Sequence, residues 1–391
     1  MRRIIKSVLD LDLYKLTMSN VYFKLFPEVD GEFKFYDRNN RVYTPEFVEK
    51  LREQVDACAD LQLTKAETAF LSQKAPFLDR TYREFLSNFR FDPNQVDIFQ
   101  EKDGRLGIFA TGPLYKVSLW ETIILTLVSE LSSFSLEGQS EIDNVRSIAV
   151  EKMLLMKEHN LQVADFGTRR RHSYEYQYHM LTAMIEKDPQ HKSLIGTSNV
   201  HFAHVLGLTP IGTTAHEYYQ LMAAIYGYLM ANTMGMGNWV KVYRGSLGIA
   251  LTDTFTTKNF FENFDLFNAK LWDGLRHDSG DPIVFGEKAI GHYKMLKIDP
   301  MSKTLVFSDG LTIKRAIEIK KHFEGRIKIS FGIGTHLTND WIQKALNIVM
   351  KLNAVLYNGI WIPTVKLSDV LGKNTGDEKE VTKAKLILGA E

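Results

Sequence analysis

LWDGLRHDSGDPIVFGEKAIGHYKMLKIDPMSKTLVFSDG (residues 271–310) holds one complete repeat of a pattern: a short apolar run, a polar turn, a helical segment, and a second apolar run ending in another polar turn. Within it Phe285, Ala289, Tyr293 and Leu296 share one helical face. The same form recurs in both directions. Earlier strand ends are VADFGTRRR (163–171), SLIGTSN (193–199), TPIGTTAHE (209–217) and GIALTDTF (248–255); KISFGIGTH (328–336) follows, and 347–357 or 361–367 offers an eighth strand. Seven or eight strand–helix units in series imply an α/β fold, an irregular TIM-like barrel over 141–391 with a C-terminal extension. In such a barrel the chemistry sits on the loops at the carboxyl ends of the strands, where the polar residues gather here. A doubly wound open sheet is the alternative, but no GxGxxG or GxxxxGK[ST] motif supports dinucleotide or P-loop binding.

Before residue 141 the rhythm differs. GEFKFYDR (31–38) alternates like a half-buried strand, RLGIFATGPLYKVSLWE (105–121) reads as two strands broken at Gly112-Pro113, and an apolar helix is expected from Trp120 to about Leu131. Helices fill much of 45–90. This predicts an N-terminal α+β domain over 1–140 with an antiparallel sheet. A chain of 391 residues suits two such domains. Lys plus Arg number 48 against 47 Asp plus Glu, so bulk charge recruits neither nucleic acid nor an acidic membrane. The lone Cys58 rules out an internal disulfide and a thiolate zinc site and fits a reducing, cytoplasmic setting. Acidic residues at 10 and 12 interrupt any signal-type run, and no stretch is long enough to span a bilayer.

Several turns carry chemistry. In DFGTRRR, three arginines open a helix whose dipole they oppose, which favours an anion site over a solvated turn. In RHDSGDP, Asp281 before Pro282 is a helix cap, while Arg276 and Asp278, two apart, point the same way. Asp253 ends its strand between two threonines that can hydrogen-bond it, and SDG (308–310) with GIGTH (332–336) adds a carboxylate and a glycine-rich turn suited to phosphate. A metal-hydrolase reading of His216, Glu217, His277 and Asp278 lacks HxH or HExxH spacing. Mg²⁺ held by substrate near Asp253 and Asp278 suits these oxygens better than an ion held by protein alone.

With DFGTRRR, GTSN, GTTAHE, ALTDTF, GLRHDSGDP, LVFSDG, SFGIGT and VKLSD in this order, the chain from residue 10 to 369 resembles the nicotinate phosphoribosyltransferase family. The resemblance implies an enzyme of NAD salvage that makes nicotinate mononucleotide and pyrophosphate from nicotinate and phosphoribosyl pyrophosphate. It further implies ATP hydrolysis coupled through a phosphohistidine at His216, Mg²⁺, and a homodimer with shared active sites. Carried over by motif, Tyr14 of a partner subunit and Phe166 resemble the two faces of an aromatic sandwich around the pyridine ring. Arg169, Thr213 and Arg276 resemble the lining of the nicotinate and ribose pocket. Asp253 and Asp278 resemble the carboxylates near ribose and Mg-pyrophosphate; Asp309, Gly310, Gly334 and Thr335 resemble the 5′-phosphate cradle. Ser198 stands where nicotinamide-using relatives have aspartate, and a neutral side chain there favours the acid. Nicotinamide and quinolinate remain alternative substrates, the latter disfavoured by GTTAHE; a catalytically silent barrel should have lost His216, Asp253, Arg276 or Asp278, and all are present. In the segment after residue 353 only Lys366 is assigned a ligand contact, and Glu217 either orients His216 or favours the helix start by charge.

Overall fold

A computed structural model describes residues 3–133, 138–340, 344–370 and 374–390. The chain divides into two compact units, the first comprising 1–212 and 333–351, the second 213–332 and 352–391.

The first unit contains β1 (Asp30–Asp37), β2 (Val96–Gln100) and β3 (Leu106–Pro113), antiparallel with β3 between the other two. Phe33 and Phe35 on β1 are buried while their neighbours Glu32 and Lys34 are only partly so, as the alternation requires. The break expected at Gly112-Pro113 is absent: β3 runs through to Pro113, opposite Asp30, and one short helix, Leu114–Val117, follows. Proline can end a ladder because the N–H it lacks is no longer needed there. The helix Trp120–Leu131 forms as expected and is buried on all sides over its first ten residues. Helix Lys65–Lys74 opens on a reciprocal capping box between Thr64 and Glu67. Two parallel strands, β4 (Val163–Asp165) and β5 (Leu194–Thr197), complete the unit's start of the second sheet.

The second unit holds β6 (Ile249–Leu251), β7 (Gly274–His277), β8 (Thr304–Phe307) and β9 (Lys328–Ile333), parallel and in sequence order. Helix Pro282–Met295 buries Phe285, Ala289 and Tyr293, with Asp281 accepting from the Ile283 and Val284 amides as its cap. Strand β9 carries the chain into the first unit, where Ile333 O accepts from Phe166 N at 2.9 Å. The six parallel strands are thus ordered β5-β4-β9-β8-β7-β6, a sheet not closed into a barrel among the described residues. Segment 209–217 is not a strand: only Pro210 bridges Thr197, after which the backbone passes so close to Tyr14 that a Cβ on Gly212 would lie 2.8 Å from its amide. The eighth strand fails for another reason. β10 (Ile348–Tyr357) and β11 (Ile360–Pro363) form an antiparallel hairpin and extend the first sheet, whose order is β11-β10-β1-β3-β2. Their two-residue turn, Asn358-Gly359, has φ of 50° and 78°, the left-handed pair of a type I′ turn. That dipeptide was a legible hairpin signal which the search for a further parallel strand passed over.

Candidate active site

In the second unit three loops after strands, those following β6, β7 and β11, converge on one imidazole. His216 is the first residue of helix His216–Tyr226, and its side chain keeps 22% of its exposure. Its Nδ1 lies 3.0 Å from Thr254 Oγ1, and its Nε2 lies 3.1 Å from Asp278 Oδ2 and 2.9 Å from Lys366 Nζ. Asp278 offers only an acceptor and the ammonium only donors, so one neutral ring nitrogen cannot answer both. With Nε2–H donating to Asp278, the Thr254 hydroxyl donates to Nδ1. With Nε2 bare, Lys366 donates to it and Nδ1–H donates to Thr254. The hydroxyl accommodates either tautomer, and the second leaves an Nε2 lone pair. Burial and then the Lys366 charge hold the His216 pKa below the usual histidine value, so the ring is neutral at pH 7.

The carboxylates stay ionised although buried. For Asp278 burial works upward, but Arg276, then His216 and Lys366, hold its carboxyl well below the ordinary range. Asp253, 1% exposed, is likewise held low against burial by His216 and Lys366. The threonines flanking Asp253 do not serve it as expected: Thr254 binds His216, and Thr252 Oγ1 donates to Arg276 O at 3.0 Å. Ser279 Oγ takes that place, 2.6 Å from Asp253 Oδ2, with Lys366 Nζ at 3.1 Å. Ser308 Oγ donates to Asp278 Oδ1 at 2.8 Å, and Arg276 donates to Thr214 O at 2.9 Å, anchoring the backbone beside Thr213. Just after Thr254, Thr256 has φ of 67°, which a β-branched residue rarely adopts. Asp369 holds the next residue by its amide at 2.8 Å and also accepts from its hydroxyl. Such strain persists only where surroundings over-determine it, and the KLSD segment supplies them. Asp309 and Gly310 are exposed at the end of β8, Gly310 with φ of 57°.

One oxygen of Asp253, Oδ1, is buried with no hydrogen-bond partner among the described residues, and it groups with donor atoms of His216 and Asp278 within 4.8 Å of one another. The two carboxylates suit a hard cation such as Mg²⁺, while the Lys366 ammonium already answers part of their charge.

In the first unit the arginine run divides. Arg171 is 0% exposed and pairs with Asp10 through both terminal nitrogens at 2.7 and 3.1 Å, with Glu130 3.1 Å from Nε. Arg170 is spent on the Ile348 carbonyl at 3.1 Å. The run expected to hold an anion therefore leaves Arg169 alone for that role, 44% exposed and 3.6 Å from both Asp12 and Glu121. Its guanidinium lies 5.7 Å over the Tyr14 ring. Tyr14, whose hydroxyl donates to Glu121 Oε1 at 3.3 Å, is itself buried, beside Arg169 of the same chain. Ser198 Oγ donates to Asp12 Oδ1 at 2.6 Å. Phe166 is half-buried, and its carbonyl would lie 2.9 Å from a Cβ on Gly334, which precedes the short helix Thr335–Thr338. Sequence reading missed Thr254, Ser279 and Ser308 in the second unit and Asp12 and Glu121 in the first. Asp12 stands directly before the helix Leu13–Leu25, yet its side chain makes no capping bond and turns to Ser198 instead.

Comparison with known proteins agrees over the whole chain. Residues 9–129 match the nicotinate phosphoribosyltransferase N-terminal domain, and residues 161–389 match the nicotinate phosphoribosyltransferase family. A nicotinate phosphoribosyltransferase of Chromohalobacter salexigens is 43% identical over 384 residues, 98% of each chain, and one of Methanosarcina mazei is 40% identical over 407 residues, again 98% of each. The crystal structure of nicotinate phosphoribosyltransferase from Porphyromonas gingivalis superposes with a TM-score of 0.95 at 47% identity, covering 99% of this chain and 100% of that one. An imidazole set among two carboxylates and a lysine, in a chain this similar throughout, leads to one conclusion: the chain belongs to the nicotinate phosphoribosyltransferase family.

Proposed function

We propose that this chain joins nicotinate to phosphoribosyl pyrophosphate, giving nicotinate mononucleotide and pyrophosphate, and that His216 couples the reaction to ATP as a phosphohistidine. The observation that carries the coupling is the neutral His216 ring with Lys366 at Nε2 and Thr254 at Nδ1, at the mouth of a helix. In the first step a ring nitrogen of His216 attacks the γ-phosphorus of ATP, an N–P bond forms, and the bond to the ADP oxygen breaks. Water later cleaves the N–P bond to release phosphate. The phosphoryl group brings roughly two negative charges to His216, and Lys366, 2.9 Å from Nε2, is the cation placed to meet them.

In the transfer itself the ring nitrogen of nicotinate attacks ribose C1 while the bond to pyrophosphate breaks. Positive charge grows on the sugar, which suits Asp253 and Asp278; negative charge grows on the leaving group. Mg²⁺, entering with pyrophosphate and met by the same carboxylates, would neutralise part of that charge. Arg169 is proposed to take the nicotinate carboxylate, with Phe166 and Tyr14 against the ring, Arg276 and Thr213 toward the ribose, and Asp309, Gly310, Gly334 and Thr335 around the 5′-phosphate. A homodimer, with sites shared between subunits, belongs to the same proposal and is tested by sedimentation.

The decisive experiment is incubation with γ-labelled ATP. Acid-labile, base-stable label that disappears in His216→Asn is expected. An active wild type that never carries label would refute the coupling.

A further inference from the structure

Asp12 stands in an unusual position for a pocket meant to hold an acid. Its carboxyl is 3% exposed, accepts from Ser198 Oγ at 2.6 Å, and has Arg169 Nε at 3.6 Å. Arg169 is shared: Glu121 Oε1 lies 3.6 Å from its NH1. Glu121 already has a cation of its own in Lys15, a fully buried ammonium in contact with Glu121 Oε2, and it also accepts from the Tyr14 hydroxyl. Asp165, at the end of β4, adds like charge toward Asp12. Burial pushes its own pKa up to about 6 although three donors, Thr197 Oγ1, Gln177 Nε2 and Gly167 N, are turned to it, and the Asp12→Asn variant distinguishes the two carboxyls as the proton acceptor. Asp10 is closed off with Arg171. Asp12 therefore depends on Arg169 for its countercharge, without a close contact to it.

Asp12 and Glu121 face Lys15 and Arg169, and Asp165 adds a third carboxylate beside them. A carboxylate brought against Arg169 adds a further negative charge among groups that are mostly out of water, and like charges in such a place cannot all stay ionised. Solvent at the half-exposed Arg169 screens part of this, but not at Asp12. Burial, opposed by Arg169 and Ser198, already pushes the Asp12 pKa up from the usual carboxylate value before any ligand arrives.

We infer that Asp12 is the proton acceptor that lets the pocket hold an acidic ring: a carboxylate docking on Arg169 draws one proton from solution onto Asp12, and the proton returns to solvent when the product leaves. The inference rests on the proposed contact between Arg169 and the nicotinate carboxylate. It makes affinity for the acid fall as pH rises, since the bound state holds the extra proton. A carboxamide adds no charge and draws no proton, so the preference for acid over amide narrows with rising pH.

The test is titration calorimetry of the full chain with nicotinate mononucleotide and nicotinamide mononucleotide, in buffers of different ionisation enthalpy. The two ligands share a phosphate, so the difference in proton uptake reports the ring substituent. The acid should take up about one proton more than the amide, and Asp12→Asn should abolish the excess while still binding the acid. Ser198→Ala removes a donor to the charged carboxyl and should move the uptake profile to higher pH, which serves if Asp12→Asn does not fold. Equal uptake for both ligands in the wild type, an undiminished excess in Asp12→Asn, or an unmoved profile in Ser198→Ala would overturn the inference. Arg169→Gln separates the two levels: unchanged affinity of this variant for the acid sinks the contact itself, whereas weakened binding by the variant beside equal uptake of both ligands in the wild type sinks only the role of Asp12.

Discussion

Around Arg171 every charge is closed off, with Asp10 on two nitrogens, Glu130 on the third, and Asn199 Nδ2 donating to Asp10 Oδ1 at 2.9 Å. Around His216 the charges are left in competition, Asp278 and Lys366 both reaching for the same Nε2. The first arrangement has one low-energy state and holds backbone segments distant in sequence. The second has at least two, differing by a proton position, and such ambiguity is what the phosphohistidine proposed at His216 would need. Paired buried charge builds architecture; contested, partly exposed charge is available for chemistry.

Five substitutions, besides the calorimetric test of Asp12, press on that contrast. The largest effect is expected at the contested centre. His216→Asn should remove ATP-derived label altogether and lower coupled turnover by about a hundredfold or more, measured as ATP hydrolysed per mononucleotide formed. Next comes the closed cluster, where Arg171→Met strands Asp10 in the interior and should cost about 3–5 kcal/mol in denaturant unfolding. A loss under about 1 kcal/mol would mean that the Arg171 network is not structural in the sense argued. Arg169→Gln, between the two, should raise KM for nicotinate roughly tenfold to a hundredfold with a smaller loss of stability than Arg171→Met, because Arg169 is 44% exposed and 3.6 Å from Asp12. Equal damage to stability would move Arg169 into the closed class.

The smallest shift concerns Lys366. After burial, its charge is what depresses the His216 pKa, and without it Asp253 and Asp278 act on the ring against burial alone. Lys366→Met should therefore raise that pKa and move the acid limb of phosphorylation to higher pH, because the ring must be neutral to attack. A limb that stays in place would remove Lys366 from control of the ring. A further sharpening lies at position 198. An aspartate there would face Asp12, whose Oδ1 is 2.6 Å from the serine oxygen, so Ser198→Asp should bring two carboxyls onto one proton and lower the kcat/KM preference for nicotinate over nicotinamide. An unchanged ratio would sink the role given to Ser198.

Much of the second unit was legible in the chain because its signals are local. A strand ending in Asp or Arg and leading into a helix is written in consecutive residues, so β6 to β9 and the Asp281 cap appear where expected. His216, Asp253, Arg276 and Asp278 could be picked out individually because polar residues at strand ends have few structural reasons to recur. The hairpin of β10 and β11 was equally local, yet the expectation of one more parallel strand outweighed the Asn358-Gly359 turn. What failed for deeper reasons was the assignment of partners. Asp253 sits between threonines in sequence but is served by Ser279, 26 residues away, and Lys366, 113 residues away.

By itself, the order of residues determined the α/β class, the positions of most strands and caps, the candidate nucleophile and the family resemblance, since each depends on short-range periodicity or on motifs a few residues long. Only the tertiary structure decided which of three adjacent arginines stays open, that Asp12 turns away from capping to meet Ser198, and that Lys366 shares one nitrogen with Asp278. Those outcomes turn on which charges are buried together, and burial is a property of packing between segments far apart in the chain, which no local pattern encodes.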